Sequence, residues 1–309
     1  MATATLPAHP AHPAQHPVTV ADLELSADGI DPQRAAAIYR EHGCLVIRGL
    51  MTRYTAAINR DVAKAAHEAI ALLPQAKKVT EGWVTPDGSL FLPAPAHFGR
   101  AQQIMLLPCN YRQSSALFRS ALDETLGDLA EAIIGPDVEL FLDGQIIYKE
   151  GAGGHPKHLH QDAAYFEHRY DGPLAVLTYC VDTDLTNGAL QVVPGSHLMG
   201  VLPHVNTFSH LGLDPQQWPW ERALPITGQS GDAILFHVKT IHGSKENLSP
   251  RPRPVVVHRF RAANDYVTIN ATTAENRSDA ERQAEKARKQ TQRGLMVRGY
   301  RSHSCLDEG

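Results

Sequence analysis

The spacing of apolar residues changes near residue 137 and divides the chain into a helical part and a strand-rich part. In the first part, apolar positions recur with the period of a helix that buries one face. Asp31 is placed to cap a first helix, Pro32 suits its first turn and Gly43 can end it. The predicted elements are a helix at 31–43, a buried strand at 44–50, a helix at 53–73, loop or short strands at 80–112, and a helix at 114–134.

Residues 137–262 carry a different pattern, made of short runs rich in β-branched and aromatic residues that Gly, Pro and Asn separate. Such runs predict antiparallel strands in a sandwich or barrel. A double-sheet jelly roll of this kind can hold a site in its mouth, where inward-facing side chains converge. We therefore predict a mainly β fold with flanking helices, in which residues 19–309 form a single domain.

Three segments lie outside this strand pattern. Residues 1–18 repeat the unit Ala-His-Pro, a low-complexity composition that favours a disordered tail over a weak metal site. Residues 198–230 show little periodicity and predict either a lid over a binding site or a loop that its aromatic residues anchor to the sheet. Residues 274–293 are strongly charged and predict either a solvated surface helix or a partner-binding helix.

The composition argues against several classes of function. Hydrophobic residues make up 43% and charged residues 20% of the chain, and the net charge of −4 gives no basic footprint for nucleic acid. No apolar run approaches the roughly 18 residues of a membrane span, and the N-terminus lacks the pattern of a signal peptide. The four cysteines have no Cys-x-x-Cys spacing. We expect a cytoplasmic protein that acts on a small molecule, without nucleic acid or membrane partners; its oligomeric state stays open.

The tripeptide His160-Gln161-Asp162 is the strongest sign of chemistry in the chain. Residues i and i+2 of a strand point to the same face, so His160 and Asp162 can offer an imidazole nitrogen and a carboxylate oxygen to one metal ion. A distant histidine, His242, would complete a two-His-one-carboxylate triangle, which is typical of non-haem Fe(II) oxygenases. Arg253 supplies a planar fork that grips a carboxylate with two parallel hydrogen bonds.

The sequence around these residues supports the same interpretation. The chain reads YKEGAGGHPKHLHQDAAYF at 148–166, NGALQVVPGSH at 187–197 and GDAILFHVKTIHGSKENLSPRPRP at 231–254. In this order and spacing, over about residues 137–262, the blocks resemble the phytanoyl-CoA dioxygenase (PhyH) family of Fe(II)/2-oxoglutarate-dependent oxygenases, which includes the ectoine hydroxylases. The resemblance implies a double-stranded β-helix of the jelly-roll, cupin-like type, and an enzyme that uses Fe(II), 2-oxoglutarate and O2 and releases succinate and CO2.

The resemblance also implies that His160, Asp162 and His242 bind the iron. Halogenases related to the family carry a small residue where this chain has Asp162, so we expect oxidation and not chlorination. The expected reaction is hydroxylation of an aliphatic carbon in a small molecule. Desaturation, epoxidation or cyclisation at the same iron, in natural-product biosynthesis, is the alternative. A metal- or ligand-binding jelly roll without catalysis is a third, which the presence of Arg253 disfavours.

The co-substrate side of the site follows from the same resemblance. Arg253 is expected to pair with the distal carboxylate of 2-oxoglutarate, with Ser244 close to the same group. Tyr179 either contacts 2-oxoglutarate by analogy or is buried as a core residue. Positions 253, 255, 257 and 259 share one strand face, and we expect a hairpin with the strand of His242 to bring the arginine beside the metal.

Four residues are candidate substrate contacts. By alignment with the ectoine hydroxylases, Phe166 would line the substrate pocket with Tyr165 beside it, although either can be an aromatic core residue. Gln145 can face the cavity or be a satisfied polar group on its strand. Arg259 would receive an anionic substrate group if it points inward, because a buried guanidinium needs a partner, and would be a surface arginine if it points outward. The sequence does not name the substrate.

Overall fold

The computed structural model describes residues 18–79, 82–207, 211–267 and 293–302. Its α-helices are α1 (Val20–Leu23), α2 (Pro32–His42), α3 (Thr52–Leu72), α4 (Ser115–Ala121) and α5 (Glu124–Ile134). The strands before residue 150 are β1 (Glu24–Ser26), β2 (Cys44–Arg48), β3 (Lys77–Val79), β4 (Gly82–Val84), β5 (Leu90–Pro93), β6 (Gln102–Leu107), β7 (Val138–Leu140) and β8 (Gln145–Lys149). The later strands are β9 (Lys157–His160), β10 (Leu174–Tyr179), β11 (Leu190–Val192), β12 (Val205–Asn206), β13 (Leu211–Gly212), β14 (Leu224–Ile226), β15 (Ala233–Phe236), β16 (His242–Ser244), β17 (Arg253–Ala262) and β18 (Met296–Arg298).

Two sheets form a jelly roll, which confirms the predicted fold class. The larger sheet runs β1-β2-β15-β10-β17-β8-β6-β5-β4-β3, with β7 and β18 joined beside β17. The smaller sheet runs β14-β11-β16-β9, and its pairs are antiparallel. The predicted tail at 1–18 lies outside the described residues except for Val18, and the predicted helix at 274–293 does so except for Arg293. The division into one domain stays a prediction.

The alternation of side chains along β17 explains how one strand serves two cores. Val255 and Val257 point inward and pack with residues of the smaller sheet such as Leu190 and Val192. Val256 points outward and packs with the helical layer. Because strand side chains alternate between faces, Arg253 and Arg259 share the inward face of the two valines. The sequence parity argument is therefore correct for this strand.

The helices cover the outer face of the larger sheet. Tyr39 of α2 and Leu126 of α5 belong to one buried cluster with Val176 of β10, and Ile58 of α3 belongs to a second cluster with Val256 of β17. Burial of these apolar faces accounts for the helical periodicity in the first part of the chain. The helices therefore support the sheet from behind, and the space between the sheets is left for the site.

The first predicted helix is confirmed at both ends. The carboxylate of Asp31 accepts the N–H of Gln33 at 2.9 Å, and Gly43 ends α2 in the left-handed region with φ of 70°. The predicted helix at 114–134 is wrong in one respect, because it is two helices that meet at Asp123. That aspartate accepts the N–H of Leu126 at 3.1 Å. A capping carboxylate favours a new helix start over continuation of the old helix.

Candidate metal centre

Three side chains meet between the two sheets. His160, Asp162 and His242 each offer a ligand atom, and these atoms all lie within 4.8 Å of one another. The Asp162 Oδ1 atom is 3.6 Å from Nε2 of His160 and 3.8 Å from Nε2 of His242. All three residues are buried. Among the described residues, this is the one group of three or more such side chains with metal-binding spacing.

Local backbone structure brings these residues together. His160 is the last residue of β9 and pairs in register with His242 of β16. Asp162 is not on the strand: a short 3-10 helix begins at Asp162 and turns its carboxylate back toward the histidines. The expectation that His160 and Asp162 share a strand face was therefore wrong in its geometry, although the two side chains do meet.

Backbone carbonyls fix the orientation of both imidazoles. The Nδ1 atom of His160 lies 2.8 Å from the carbonyl of His158, and that of His242 lies 2.9 Å from the carbonyl of Thr240. A carbonyl can only accept, so Nδ1 carries the ring proton and Nε2 keeps its lone pair. Burial lowers the pKa of His160 to about 3 and also lowers the pKa of His242. Both rings are therefore neutral at pH 7, the form that binds metals.

Asp162 is held as a carboxylate. Burial opposes its ionisation, but the Arg259 guanidinium holds the pKa of Asp162 well below its usual range. Arg259 Nη2 lies 3.4 Å from Asp162 Oδ2, whereas Oδ1 faces the histidines. One oxygen of Asp162 is thus directed to its arginine and the other to the candidate metal position. Two neutral imidazoles and one carboxylate are the donor set expected for a ferrous ion.

Arg253 lines the same cavity as the three candidate ligands. Its side chain is 2% exposed, and burial lowers its pKa to about 10, so it remains a cation at pH 7. The guanidinium donates to the backbone carbonyls of Asn187, at 3.4 Å, and Gly188. Within the described part of the chain it forms no ion pair with a carboxylate. A buried cation bound only to carbonyls is suited to receive an anionic ligand.

The predicted hairpin between the metal strand and the arginine strand is wrong. β16 pairs with β11 and β9 in the smaller sheet, whereas β17 pairs with β10, β8 and β7 in the larger one. Arg253 therefore faces the site from the opposite sheet. The chain segment between the two strands crosses from sheet to sheet, a connection that strand parity cannot reveal.

The other two candidate co-substrate residues differ in their placement. Ser244 lines the cavity, two residues along β16 from His242. Tyr179 lies behind the cavity wall: its hydroxyl donates to the carbonyl of Ile226 at 2.6 Å and accepts the N–H of Leu190 at 2.9 Å. Its hydroxyl is therefore already engaged in the core. Contact of either residue with 2-oxoglutarate stays a prediction.

The four candidate substrate residues separate into two pairs. Gln145 and Arg259 line the cavity and contact each other, with Arg259 Nη1 3.3 Å from Gln145 Oε1. Phe166 and Tyr165 are half-buried and lie outside the described lining. Phe166 still borders the site, because the Arg259 guanidinium carbon lies 5.3 Å from its ring centroid. The hydroxyl of Tyr165 donates to the carbonyl of Leu211 at 3.1 Å.

Lys157 is a cavity residue that the sequence argument missed. It lies three positions before His160, which on a regular strand would place it on the opposite face. The pairing of β9 with β16 shifts register between His242 and Ser244, so Lys157 pairs with Ser244 and lines the cavity as well. Burial lowers the pKa of Lys157 to about 8. A β-bulge re-aims a side chain in this way and leaves no clear mark in the sequence.

Apolar side chains form the rest of the described cavity wall. These residues are Leu106, Ile147, Leu177, Leu190, Phe236, Val255 and Val257. Phe236 also packs on the candidate metal ligand His242, with ring centroids 4.4 Å apart. The alternation of β10, β15 and β17 could have identified most of them. Such a wall excludes water from the polar centre and favours the aliphatic part of a ligand.

The described part of the segment 198–230 is anchored to the smaller sheet by two tryptophans. Trp218 and Trp220 pack against a buried cluster that includes Leu159 and Ile241. Neither tryptophan lines the cavity around the three candidate ligands. Of the two alternatives for this segment, the described residues therefore favour the anchored loop over the lid.

The fold and the donor set define the class: a jelly roll with a two-His-one-carboxylate centre between its sheets. The family model described as phytanoyl-CoA dioxygenase (PhyH) matches residues 39–255. The chain therefore belongs to the phytanoyl-CoA dioxygenase family, as its sequence motifs predicted.

Curated relatives are similar over different shares of the chain. A probable alpha-ketoglutarate-dependent hypophosphite dioxygenase of Stutzerimonas stutzeri is 32% identical over 152 residues, which cover 46% of this chain and 52% of that protein. The peroxisomal phytanoyl-CoA dioxygenase of Bos taurus is 26% identical over 281 residues, which cover 86% of this chain and 77% of that protein. The chain thus matches about half of the first relative and over three quarters of the second.

Solved structures share the fold. The non-heme monooxygenase ThoJ is 18% identical with a TM-score of 0.56, over 86% of this chain and 84% of that one. EctD from S. alaskensis with bound Fe is 21% identical with a TM-score of 0.55, over 76% of this chain and 78% of that one. Separately, the helices in the described part of the chain include none with the length and apolar character needed to cross a bilayer.

Proposed function

We propose that this protein is an Fe(II)- and 2-oxoglutarate-dependent dioxygenase that hydroxylates an aliphatic carbon of a small molecule, with release of succinate and CO2. The observation that carries the proposal is the pairing, in one cavity, of three candidate metal donors with a buried cation whose partners among the described residues are backbone carbonyls. The metal donors alone would suit a binding protein. A second anion-binding group in the same cavity suits an enzyme with an acidic co-substrate.

His160, Asp162 and His242 would hold the iron, which supplies the activation of O2 when it is bound. The carbonyls of His158 and Thr240 keep the Nε2 lone pairs of the histidines available without any change of protonation at pH 7. Arg259 keeps Asp162 ionised, so the donor set carries one negative charge. These residues therefore present the metal with a fixed set of ligands.

Arg253 would bind the distal carboxylate of 2-oxoglutarate, with Ser244 beside it. The guanidinium is held at a fixed place by the carbonyls of Asn187 and Gly188, and it retains further N–H donors for a carboxylate. Lys149 supports this end of the cavity, since its ammonium donates to the carbonyls of Lys245 at 2.7 Å and Ser244 at 3.3 Å. The groups proposed to bind 2-oxoglutarate are thus preorganised before it binds.

The apolar wall favours an aliphatic reacting group. The side chains of Leu106, Leu177 and Val257 border the cavity, and none of them can donate or accept a proton. A carbon held against such a wall is shielded from water during oxidation. Hydroxylation is the proposed outcome, and the carboxylate of Asp162 occupies the position that a halide would need.

Succinate release tests the proposal. Protein reconstituted with Fe(II) is given 2-oxoglutarate and air, and succinate is quantified with and without a pool of small aliphatic molecules. We expect succinate to form above the metal-free background and the His242→Ala variant to lose at least about 100-fold of this activity, because metal-ligand loss removes the reactive centre. Tight metal binding without succinate formation in any pool would support the non-catalytic binding module instead.

The proposed site of action is the cytoplasm. The described cysteines Cys44, Cys109 and Cys180 are free and buried. Free thiols persist in reducing compartments, which supports this proposal. Fractionation of cells that express the tagged full chain would test it, and recovery outside the cytoplasm would contradict it.

A further inference from the structure

Arg259 has donors that the metal centre does not use. It lies on the inward face of β17 and is 8% exposed. Nη2 faces Asp162 and Nη1 faces Gln145, each at more than 3.2 Å, whereas Nε has no hydrogen-bond partner among the described residues. The Nε–H and one N–H of the neighbouring nitrogen lie on the same edge of a guanidinium. This edge forms a fork with the geometry of a carboxylate.

Charge in the cavity points to the same kind of ligand. Three cationic side chains line it, Lys157, Arg253 and Arg259, against the single carboxylate of Asp162 within the described lining. A ferrous dication and a 2-oxoglutarate dianion cancel each other, so their binding leaves the cationic excess in place. Unbalanced charge in a water-poor site is costly. An anionic group on the substrate would offset it.

The two arginines occupy different positions on the inward face of β17. They are six positions apart, so their Cα atoms are separated by about 20 Å of extended strand. The far carboxylate of 2-oxoglutarate, assigned to Arg253, therefore does not occupy Arg259. The Phe166 ring lies beside the guanidinium at cation–π distance, with its centroid 5.3 Å from the guanidinium carbon.

We propose that Arg259 binds a carboxylate group of the substrate, and that the substrate of this enzyme is a small aliphatic carboxylic acid. This inference rests on the proposed function and adds the substrate class to it. In this arrangement Gln145 positions the guanidinium, and the anion lies next to the metal ligand Asp162. The aliphatic chain of the acid then lies against the apolar cavity wall, where oxidation occurs.

Binding without turnover tests the inference. Full-length protein is saturated anaerobically with Fe(II) and 2-oxoglutarate and titrated in a calorimeter with straight-chain acids from butyrate to octanoate and with the matching primary amides. Each amide has the shape of its acid but no charge. We expect at least one acid to bind about tenfold or more tightly than its amide, since charge-assisted bidentate bonds are roughly twice as strong as neutral ones.

Variants assign the preference to one residue. In Arg259→Gln we expect the preference for the acid over its amide to fall below about threefold, with the affinity for the amide unchanged. Arg259→Lys keeps the charge without the fork, so its acid preference should lie between those of the native protein and Arg259→Gln. The exposed Lys78→Gln variant removes the same charge from the surface and should bind like the native protein. Circular dichroism confirms that each variant is folded.

The alternative is that Arg259 only positions Asp162. In that case Arg259→Gln would leave the acid preference of the native protein intact, which would overturn the inference. Weaker Fe(II) binding is expected in either case, because Arg259 keeps Asp162 ionised, so the titrations are made at saturating Fe(II). Absence of an acid preference at every chain length in the native protein would also overturn it. Both results concern binding alone, so succinate release from 2-oxoglutarate would still stand as a separate test of the proposed function.

Discussion

Replacement of Arg253 by alanine should separate co-substrate binding from metal binding. The side chain is 2% exposed and lines the cavity from the sheet opposite His242. The variant removes the proposed partner of the distal carboxylate and leaves the three proposed metal ligands in place. We therefore expect the affinity for 2-oxoglutarate to fall while the affinity for the metal is nearly unchanged.

The magnitude follows from burial and from competition. Loss of one member of a buried, hydrogen-bonded charge pair costs about 2–5 kcal/mol. Without 2-oxoglutarate, the guanidinium of Arg253 already donates to the carbonyls of Asn187 and Gly188, which reduces its net gain on binding. We take the lower part of the range, about 2–3 kcal/mol, which corresponds to a roughly 30- to 150-fold rise in Kd at 1.4 kcal/mol per factor of ten.

Calorimetry with Mn(II) in place of Fe(II) measures both affinities without oxidation. The Kd of the metal should change by less than about threefold, within the spread of effects at non-ligand sites. Arg251→Ala is the matched control, because Arg251 is two positions away and exposed. Arg253→Lys should recover part of the loss, since it restores the charge and not the fork. Equal losses of metal and 2-oxoglutarate affinity, or a change below about fivefold for 2-oxoglutarate, would refute the role of Arg253.

Three further predictions concern the energetics of the fold. Burial lowers the pKa of His258 to about 3, so below pH 6.5 the unfolded chain binds a proton at this residue that the folded chain does not. The free energy of unfolding should therefore fall by about 2 kcal/mol between pH 7 and pH 5 because of His258. Urea unfolding of His258→Gln should lack this part of the pH dependence. Unchanged pH dependence would contradict this. Gly43→Ala should lower the free energy of unfolding by about 3 kcal/mol or more, because the new Cβ would lie 2.3 Å from Nδ1 of His197. Gly29→Ala, at a similar φ with nothing within 4 Å, should lower it by about 1–2 kcal/mol. Equal losses in the two variants would contradict the predicted clash at Gly43. Lys149→Met should lower the unfolding free energy by about 2–4 kcal/mol because it leaves buried carbonyls without a donor, and a loss below about 1 kcal/mol would show that they find other partners.

The elements with a regular period were predictable from the sequence. Helix α2 has its cap, its proline and its terminal glycine at the expected places, and β17 keeps its alternation from Arg253 to Arg259. Local chemistry alone decides such features. The motif around His160 and Asp162 was equally clear, because its spacing and its context coincide with those of a family.

The features that depend on irregular backbone or on long-range pairing were not predictable. The turn at Asp162 and the register shift that admits Lys157 into the cavity both break the alternation on which strand arguments depend. The assignment of β16 and β17 to different sheets is a property of the whole topology. Tyr179 has the inward parity of Leu177, and only the hydrogen bonds of its hydroxyl place it in the core.

Anomalous diffraction at the iron edge would test the central claim most directly. Crystals grown without oxygen in the presence of Fe(II) and 2-oxoglutarate should show one strong iron peak, bonded by His160, Asp162 and His242, with the far carboxylate of 2-oxoglutarate at Arg253. An iron peak away from these three side chains, or none at saturating Fe(II), would contradict the metal centre and the oxygenase function proposed from it.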